Sequence, residues 1–348
     1  MSRRRSILTT SLAAIVAITL PLAITSPVQA AAGGSSGLYG SQDPTYDGVF
    51  RQSLAILGLD AIGVRQSPAA VRWLLRAQCA DGSFQEFRPD PSAPCDPVDL
   101  ENFRGPDTNA TAAAAAALRV IGTAQARTAA ARAVTWLESQ QAAVGGWPFF
   151  PGQDPDANST GIVLAALRAA KPGGTPSSVV RGSAFLNGLA ASCPDGGGLA
   201  YQPGTKVDMS ASAQGLLGLT GFLPIRAPRA LGPNPTCGMS SIRRVGVFLV
   251  KAINANGGLL PSALGSGPDH TNTVNAVLGL TAARLAKPTV AKAMGALRAS
   301  VRDYAIKDGQ AVPAALGLLL LAAKATGADP RAFGGVDLVA ALQGSERP

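Results

Sequence analysis

Four segments of the chain place an aspartate and then short polar side chains ahead of a run rich in Ala, Gly, Leu and Val. They are Asp107-Thr-Asn-Ala-Thr111, Asp156-Ala-Asn-Ser-Thr160, Asp208-Met-Ser-Ala-Ser212 and Asp269-His-Thr-Asn-Thr273. In each, a leucine stands eleven residues after the aspartate: Leu118, Leu167, Leu219 and Leu280. Two degenerate copies keep the offset, Asp43 with Leu54 and Asp308 with Leu319. Carboxylates gathered in one place could serve as a general acid and base. Hydroxyls and amides beside helix N-termini suit amide, carbonyl and phosphate groups. Asp, Asn, Ser and Thr are also the favoured N-caps, and a negative charge suits the positive end of the helix dipole. Capping occupies one side chain per helix, whereas each copy carries several polar groups. The candidate ligand-binding residues are therefore Asp107, Thr108 and Asn109; Asp156, Asn158 and Thr160; Asp208 and Ser210; and Asp269, His270, Thr271 and Asn272.

The elements that must position these residues alternate in character. The polar segments lead into helices that are nearly all apolar, and between them run amphipathic stretches at 71–84, 133–147, 183–201 and 246–260. Each of these has an aromatic and Leu pair, a polar turn and a glycine-containing stop, read here as a helix C-cap. Two more are expected at 289–304 and 335–343. A helix apolar all round must be buried, and an amphipathic one must face water on one side. Six of each in alternation predict an all-α fold, an (α/α)6 toroid of six inner and six outer helices over 43–348, with an open two-layer solenoid as the structural alternative. Runs such as the alanines of 112–117 let neighbouring inner helices approach closely. All inner helices would start at one end of the barrel, bringing their polar residues to one mouth.

With 47% apolar and 15% charged residues in 348, the chain is not a disordered one. Aromatic residues at 5% argue against sugar-stacking clefts, RNA-recognition sheets and cation-guiding pockets. Residues 1–30 combine Arg3, Arg4 and Arg5, an apolar stretch and Val28-Gln29-Ala30, the pattern of a secretory signal peptide. A flexible segment at 31–42 is expected to follow. Four cysteines in an exported chain predict two disulfides, Cys79 with Cys95 and Cys193 with Cys237, each pinning a long proline-rich loop. No C-x-x-C pair and a single histidine argue against zinc. Losing the leader's three arginines lowers Lys+Arg from 30 to 27 against 21 acidic residues, a net charge of +6. Arg226, Arg229, Arg243 and Arg244 bunch around one loop and read as a solvated face, with no nucleic-acid motif beside them. The apolar run at 316–323 is too short for a bilayer, so no stable membrane insertion is expected once the leader is cleaved.

Trp136-Leu137-Glu138-Ser139-Gln140 with Gly145-Gly146-Trp147, and Trp73-Leu74 and Gln78 with Asp81-Gly82-Ser83-Phe84, carry a further signal. Joined to the aspartate-led inner segments, they resemble the prenyltransferase and squalene oxidase repeats of the terpenoid cyclase and protein prenyltransferase toroid superfamily. The resemblance runs from Asp43 to Gln343 and implies the fold; it does not fix activity. The cyclase cluster D-x-D-D is missing, and no inner helix carries a cysteine for a zinc site. Where thioester-forming relatives have G-C-G-E-Q, this chain has Thr236-Cys237-Gly238-Met239. A secreted, disulfide-stapled toroid lacking those centres is similar to the helical domain of the transcobalamin and intrinsic factor family. That resemblance implies cobalamin as a ligand, its corrin amides contacted by Asp107, Thr108, Asn109, Asn158, Thr160, Asp269, His270, Thr271 and Asn272, with His270 a candidate cobalt ligand. Those binders add a β-rich second domain over the ligand, which a separate extracellular partner or transporter is here expected to supply. Three readings stay open. A secreted binder of a small molecule in an axial pocket calls for a wide, polar-rimmed cavity. A carboxylate-dependent or terpenoid cyclase-like enzyme calls for two mouth carboxylates with pKa values pushed apart. An extracellular scaffold calls for an exposed apolar patch.

Overall fold

The computed structural model of the chain describes residues 36–40, 48–86, 88, 93–170, 176–221, 223, 228–262 and 265–348; the leader at 1–30, Asp43 and Arg226 lie outside the described residues. Helices follow one another as α1 (Val49–Ala61), α2 (Pro68–Arg76), α3 (Thr108–Ile121), α4 (Ala124–Ser139), α5 (Ala157–Ala170), α6 (Ser177–Gly188) and α7 (Met209–Thr220). The second half continues with α8 (Ser241–Ala255), α9 (His270–Ala282), α10 (Lys287–Ala299), the short α11 (Val301–Ala305), α12 (Pro313–Thr326) and α13 (Leu338–Gln343). Helices α1, α3, α5, α7, α9 and α12 pack side by side in that order, and α12 packs back on α1. The ring is closed. Helices α2, α4, α6, α8, α10 and α13 form the outer layer, so the chain is an (α/α)6 toroid and the open solenoid is excluded. Small residues make the inner seams tight, since a Cβ on Gly58 of α1 would stand 2.7 Å from the Gly317 carbonyl oxygen of α12.

One device repeats through the barrel. Asp107, Asp156, Asp208 and Asp269 each accept the backbone N–H three residues on, at 2.7–2.8 Å, and so cap α3, α5, α7 and α9. The hydroxyl four residues after the cap donates to the cap's own carbonyl in three of them, from Thr111, Ser212 and Thr273 at 2.6–2.7 Å. In all four it accepts the N–H of an apolar anchor on the incoming loop: Phe84 to Thr111, Trp147 to Thr160, Leu199 to Ser212 and Leu260 to Thr273, at 2.8–2.9 Å. Beside these bonds the incoming loop pairs with the cap as a short β-bridge, including Leu199 with Asp208 in strands β1 (Leu199–Ala200) and β2 (Val207–Asp208), and Leu260 with Asp269 in β3 (Leu260–Pro261) and β4 (Pro268–Asp269).

The glycines of the outer signature have a different role from the one expected. Helix α4 ends on Gln140 and α2 on Ala77, while Gly145 and Gly82 stand five residues further on. At Gly145, with φ +98°, a Cβ would lie 2.6 Å from the Arg181 carbonyl oxygen of α6, so the turn docks on the next outer helix where only glycine fits. C-capping by left-handed glycine belongs to inner helices, at Gly122, Gly221 and Gly327.

The two degenerate copies are out of register. Helix α1 is capped at Gly48 and α12 at Val312. Asp308 instead sits at φ +51° in the turn between β5 (Ile306–Lys307) and β6 (Gln310–Ala311). In α1 the anchor is Tyr39, whose N–H donates to Gln52 Oε1 at 2.9 Å; Gln52 Nε2 in turn donates to the Gly37 and Ala70 carbonyls at 2.8 and 3.2 Å. Residues 36–40, expected to be flexible, are therefore held: Leu38 and Tyr39 are buried, and this stretch pairs with the backbone of 345–348. The disulfides are Cys79–Cys95 and Cys193–Cys237. Among the described residues no helix is long and apolar enough to cross a membrane.

Candidate ligand-binding site

Counting from each cap assigns the polar residues their directions. An α-helix advances about 100° per residue, so positions two, six and nine after the cap share one stripe, and the cap itself lies about 200° round from the first of them. A cavity of about 110 Å³ lies between the inner helices, and all six present the sixth position to it: Leu54, Ala113, Ile162, Gln214, Asn275 and Leu318. Leu57, Ala116, Ala165 and Leu217 at the ninth position line it further in. At the second position, Phe50 and Thr271 line it directly. Asn109, Asn158 and Ser210 occupy that same position on α3, α5 and α7. The stripe thus runs from a mouth that is polar on four consecutive helices, through a layer polar at Gln214 and Asn275, to an apolar interior.

The sequence candidates divide along this line. Asp107, Asp156, Asp208 and Asp269 are committed to capping. Thr108 is buried and donates to the Pro148 carbonyl at 2.7 Å, and Thr160 holds Trp147. Asn272 knits α7 to α9: its Nδ2 donates to Ser210 Oγ at 2.9 Å and Asp269 Oδ2 at 2.7 Å, and its Oδ1 accepts from Gln214 and Asn275 at 3.2 Å. His270 stacks on Tyr304 with centroids 5.1 Å apart, and its Nε2 meets Ser300 Oγ at 2.9 Å. Burial lowers the imidazole's pKa against the raising charges of Asp303 and Asp269. One of the two ring nitrogens that could ligate cobalt, Nε2, is engaged with Ser300.

Asn109 and Asn158 remain: the Oδ1 of each is buried with no hydrogen-bond partner. A buried polar atom without a partner costs about 1–3 kcal/mol, so these two amides, which stand at the second position but are not among the residues lining the cavity, have hydrogen-bonding capacity to spare. Thr271 is exposed at the same level and shares a 3.1 Å hydrogen bond with the Tyr304 hydroxyl. Sequence reading missed Gln214 and Asn275, although a lone amide inside a helix apolar on every side was a usable signal.

Acid–base chemistry gains less from this arrangement. Burial pushes the Asp107 carboxyl up to about 7 against the lowering N–H groups of Ala110 and Asn109, and its Oδ2 has no partner. Burial also raises Asp156, opposed by the N–H and hydroxyl of Ser159 and the N–H of Asn158. Both shifts have one direction and one cause, and both groups lie off the stripe. Among the described residues no three His, Cys, Asp or Glu side chains come together to hold a metal ion.

The sequence matches no protein-family model and no curated protein. Solved structures do resemble it. Cellobiose 2-epimerase from Spirochaeta thermophila superposes with a TM-score of 0.56 at 16% identity, over 84% of this chain and 90% of the epimerase. A glycosidase gives 0.51 at 15% identity, over 84% of this chain and 92% of its own. The ent-copalyl diphosphate synthase from Streptomyces platensis gives 0.50 at 18% identity, over 80% of this chain and 50% of the synthase, so the chain spans about half that enzyme's length. At such identities the likeness is one of fold, and the fold these proteins share with this chain is the α/α toroid.

Proposed function

We propose that the protein is a secreted binder of a small amphipathic molecule, held in the axial cavity with its polar group at the mouth. The observation that carries this reading is the graded lining of the cavity, polar at Thr271, Gln214 and Asn275 and otherwise formed by Ala, Leu, Ile and Phe side chains, with the unpaired amides of Asn109 and Asn158 at the helical position that Thr271 occupies on α9. A dry cavity of about 150 Å³ takes benzene, so this space of about 110 Å³ suits an apolar group of up to about six carbons. Corrin would need a wide mouth with many amide partners, and most of the polar residues first assigned to it are bonded within the protein. The leader-like 1–30 segment and the two disulfides support export.

Thermal unfolding of the chain from Ala31, with cyclohexanol, benzyl alcohol and cyanocobalamin in separate titrations, tests the reading. Ligand at about a hundred times its Kd adds about 2.7 kcal/mol, a shift of several degrees. The alcohols are expected to give that shift and cyanocobalamin none. A shift with cyanocobalamin alone would restore the corrinoid reading, and silence from all three would remove the binding one.

A further inference from the structure

Two disulfide-stapled regions carry opposite charge and matching exposed side chains. In the first, Asp99 and Arg104 exchange N–H to carbonyl bonds at 2.9 and 3.0 Å and close a tight hairpin. The Asp99 carboxylate fixes its tip by accepting from the N–H groups of Glu101 and Asn102, at 3.0 and 3.1 Å, and from Asn102 Nδ2 at 2.7 Å. This rigid tip turns apolar groups outward: Leu100 is 43% exposed and Phe103 62%. Phe103 holds φ +52°, a conformation rare for a bulky residue, and its ring leans on Phe150 at 6.5 Å. Among the described residues of 79–106 five are acidic, Asp81, Glu86, Asp96, Asp99 and Glu101, against Arg88 and Arg104.

The second region reverses this pattern. Between Asp208 and Asp269 the sequence has no acidic residue, and among the described residues Arg229, Arg243, Arg244 and Lys251 fall there; across the disulfide the exposed carboxylate Asp195 stands two residues from Cys193, so the region is net basic. Met239, two residues beyond the second disulfide, is 96% exposed, with Arg229 and Arg243 also exposed. A thioether makes favourable contacts with aromatic rings, and opposite charges around such a contact steer and orient it.

We infer that the chain self-associates head to tail, the acidic Leu100–Phe103 hairpin of one copy docking on the basic Met239 region of the next. Pairing hairpin to hairpin would set acid against acid, and basic region to basic region would set arginine against arginine. The contact is therefore heterologous, and it propagates as a closed ring or an open chain. An anionic lipid surface is a poorer occupant for the hairpin because the acidic rim repels it.

Sedimentation velocity of the chain from Ala31, from micromolar to submillimolar concentration at low and high salt, tests this with two surface variants. Glu101→Lys/Phe103→Ser breaks the hairpin side, and Met239→Ser/Arg243→Glu breaks the basic side. Wild-type chain is expected to show concentration-dependent growth that salt suppresses. Each variant alone is expected to stay monomeric, and an equimolar mixture to form dimers that grow no further, since each copy keeps one working face. Circular dichroism confirms that both variants are folded. A monomeric wild-type chain at low salt, association surviving in either variant alone, or a mixture that stays monomeric would overturn the inference.

Discussion

Four inner helices begin with an aspartate and two do not, and the contrast separates architecture from binding. On α3, α5, α7 and α9 the cap and the hydroxyl four residues later are consumed in holding the incoming loop, and the second position carries a polar side chain, of which Thr271 lines the cavity. On α1 the same joint is made by Gly48 and Gln52, and on α12 the helix opens at Val312 and Pro313 without a side-chain cap. There the second positions are Phe50 and Ala314. One side of the mouth is thus polar and the other apolar. An amphipathic molecule entering such a mouth meets amides on one side and hydrocarbon on the other.

Breaking this contrast has its largest effect at Asp107, which is fully buried among the four caps. Its carboxyl, pushed up to about 7 by burial, contributes stability that is complete below its unfolded pKa of about 3.9 and is lost as pH rises through 7. Asp107→Asn keeps a good N-cap and removes the titration. Thermal unfolding followed from about pH 4 to about pH 8 should show the variant gaining on wild type as pH rises, by a few kcal/mol at the alkaline end. Parallel curves would mean that Asp107 titrates as an ordinary carboxylate.

Next come the joints. Gln52→Leu removes three buried hydrogen bonds and Thr160→Val chiefly one, so denaturant unfolding should lose about 3 kcal/mol in the first and about 1–2 kcal/mol in the second. Equal losses would deny that α1 replaces the hydroxyl with a wider amide clamp. The smallest effect separates true from apparent repeats: Asp208→Ala should cost about 1 kcal/mol and Asp308→Ala less than about 0.5 kcal/mol by the same denaturant measurement.

Much of this was legible in the sequence because it is local. Alternating apolar and amphipathic runs pointed to the two rings, and long proline-rich loops between cysteines pointed to both disulfides. What was not legible depended on register. Asp43 and Asp308 keep the spacing to a leucine that real caps have, but in α1 the anchoring residue is Tyr39, which fixes the cap at Gly48, and a β-hairpin moves the start of α12 past Asp308. The same blindness spread the candidate site over every polar residue near a helix start. Only the period of the helix, counted from the observed cap, distinguishes Asn109 and Asn158 from Thr108 and Thr160, and it brings in Gln214 and Asn275.

If ligand meets the axis-facing stripe and not the caps, substitutions on the two sets of residues must separate in their effect on binding. Calorimetric titration of cyclohexanol into wild-type, Ala113→Phe, Asn158→Leu and Asp156→Asn chains tests this directly. The predicted result is binding abolished in Ala113→Phe, where the introduced ring fills the cavity, weakened about tenfold in Asn158→Leu, where the rim amide is gone, and unchanged in Asp156→Asn, where the cap is only neutralised. Binding that survives Ala113→Phe but disappears in Asp156→Asn would contradict it.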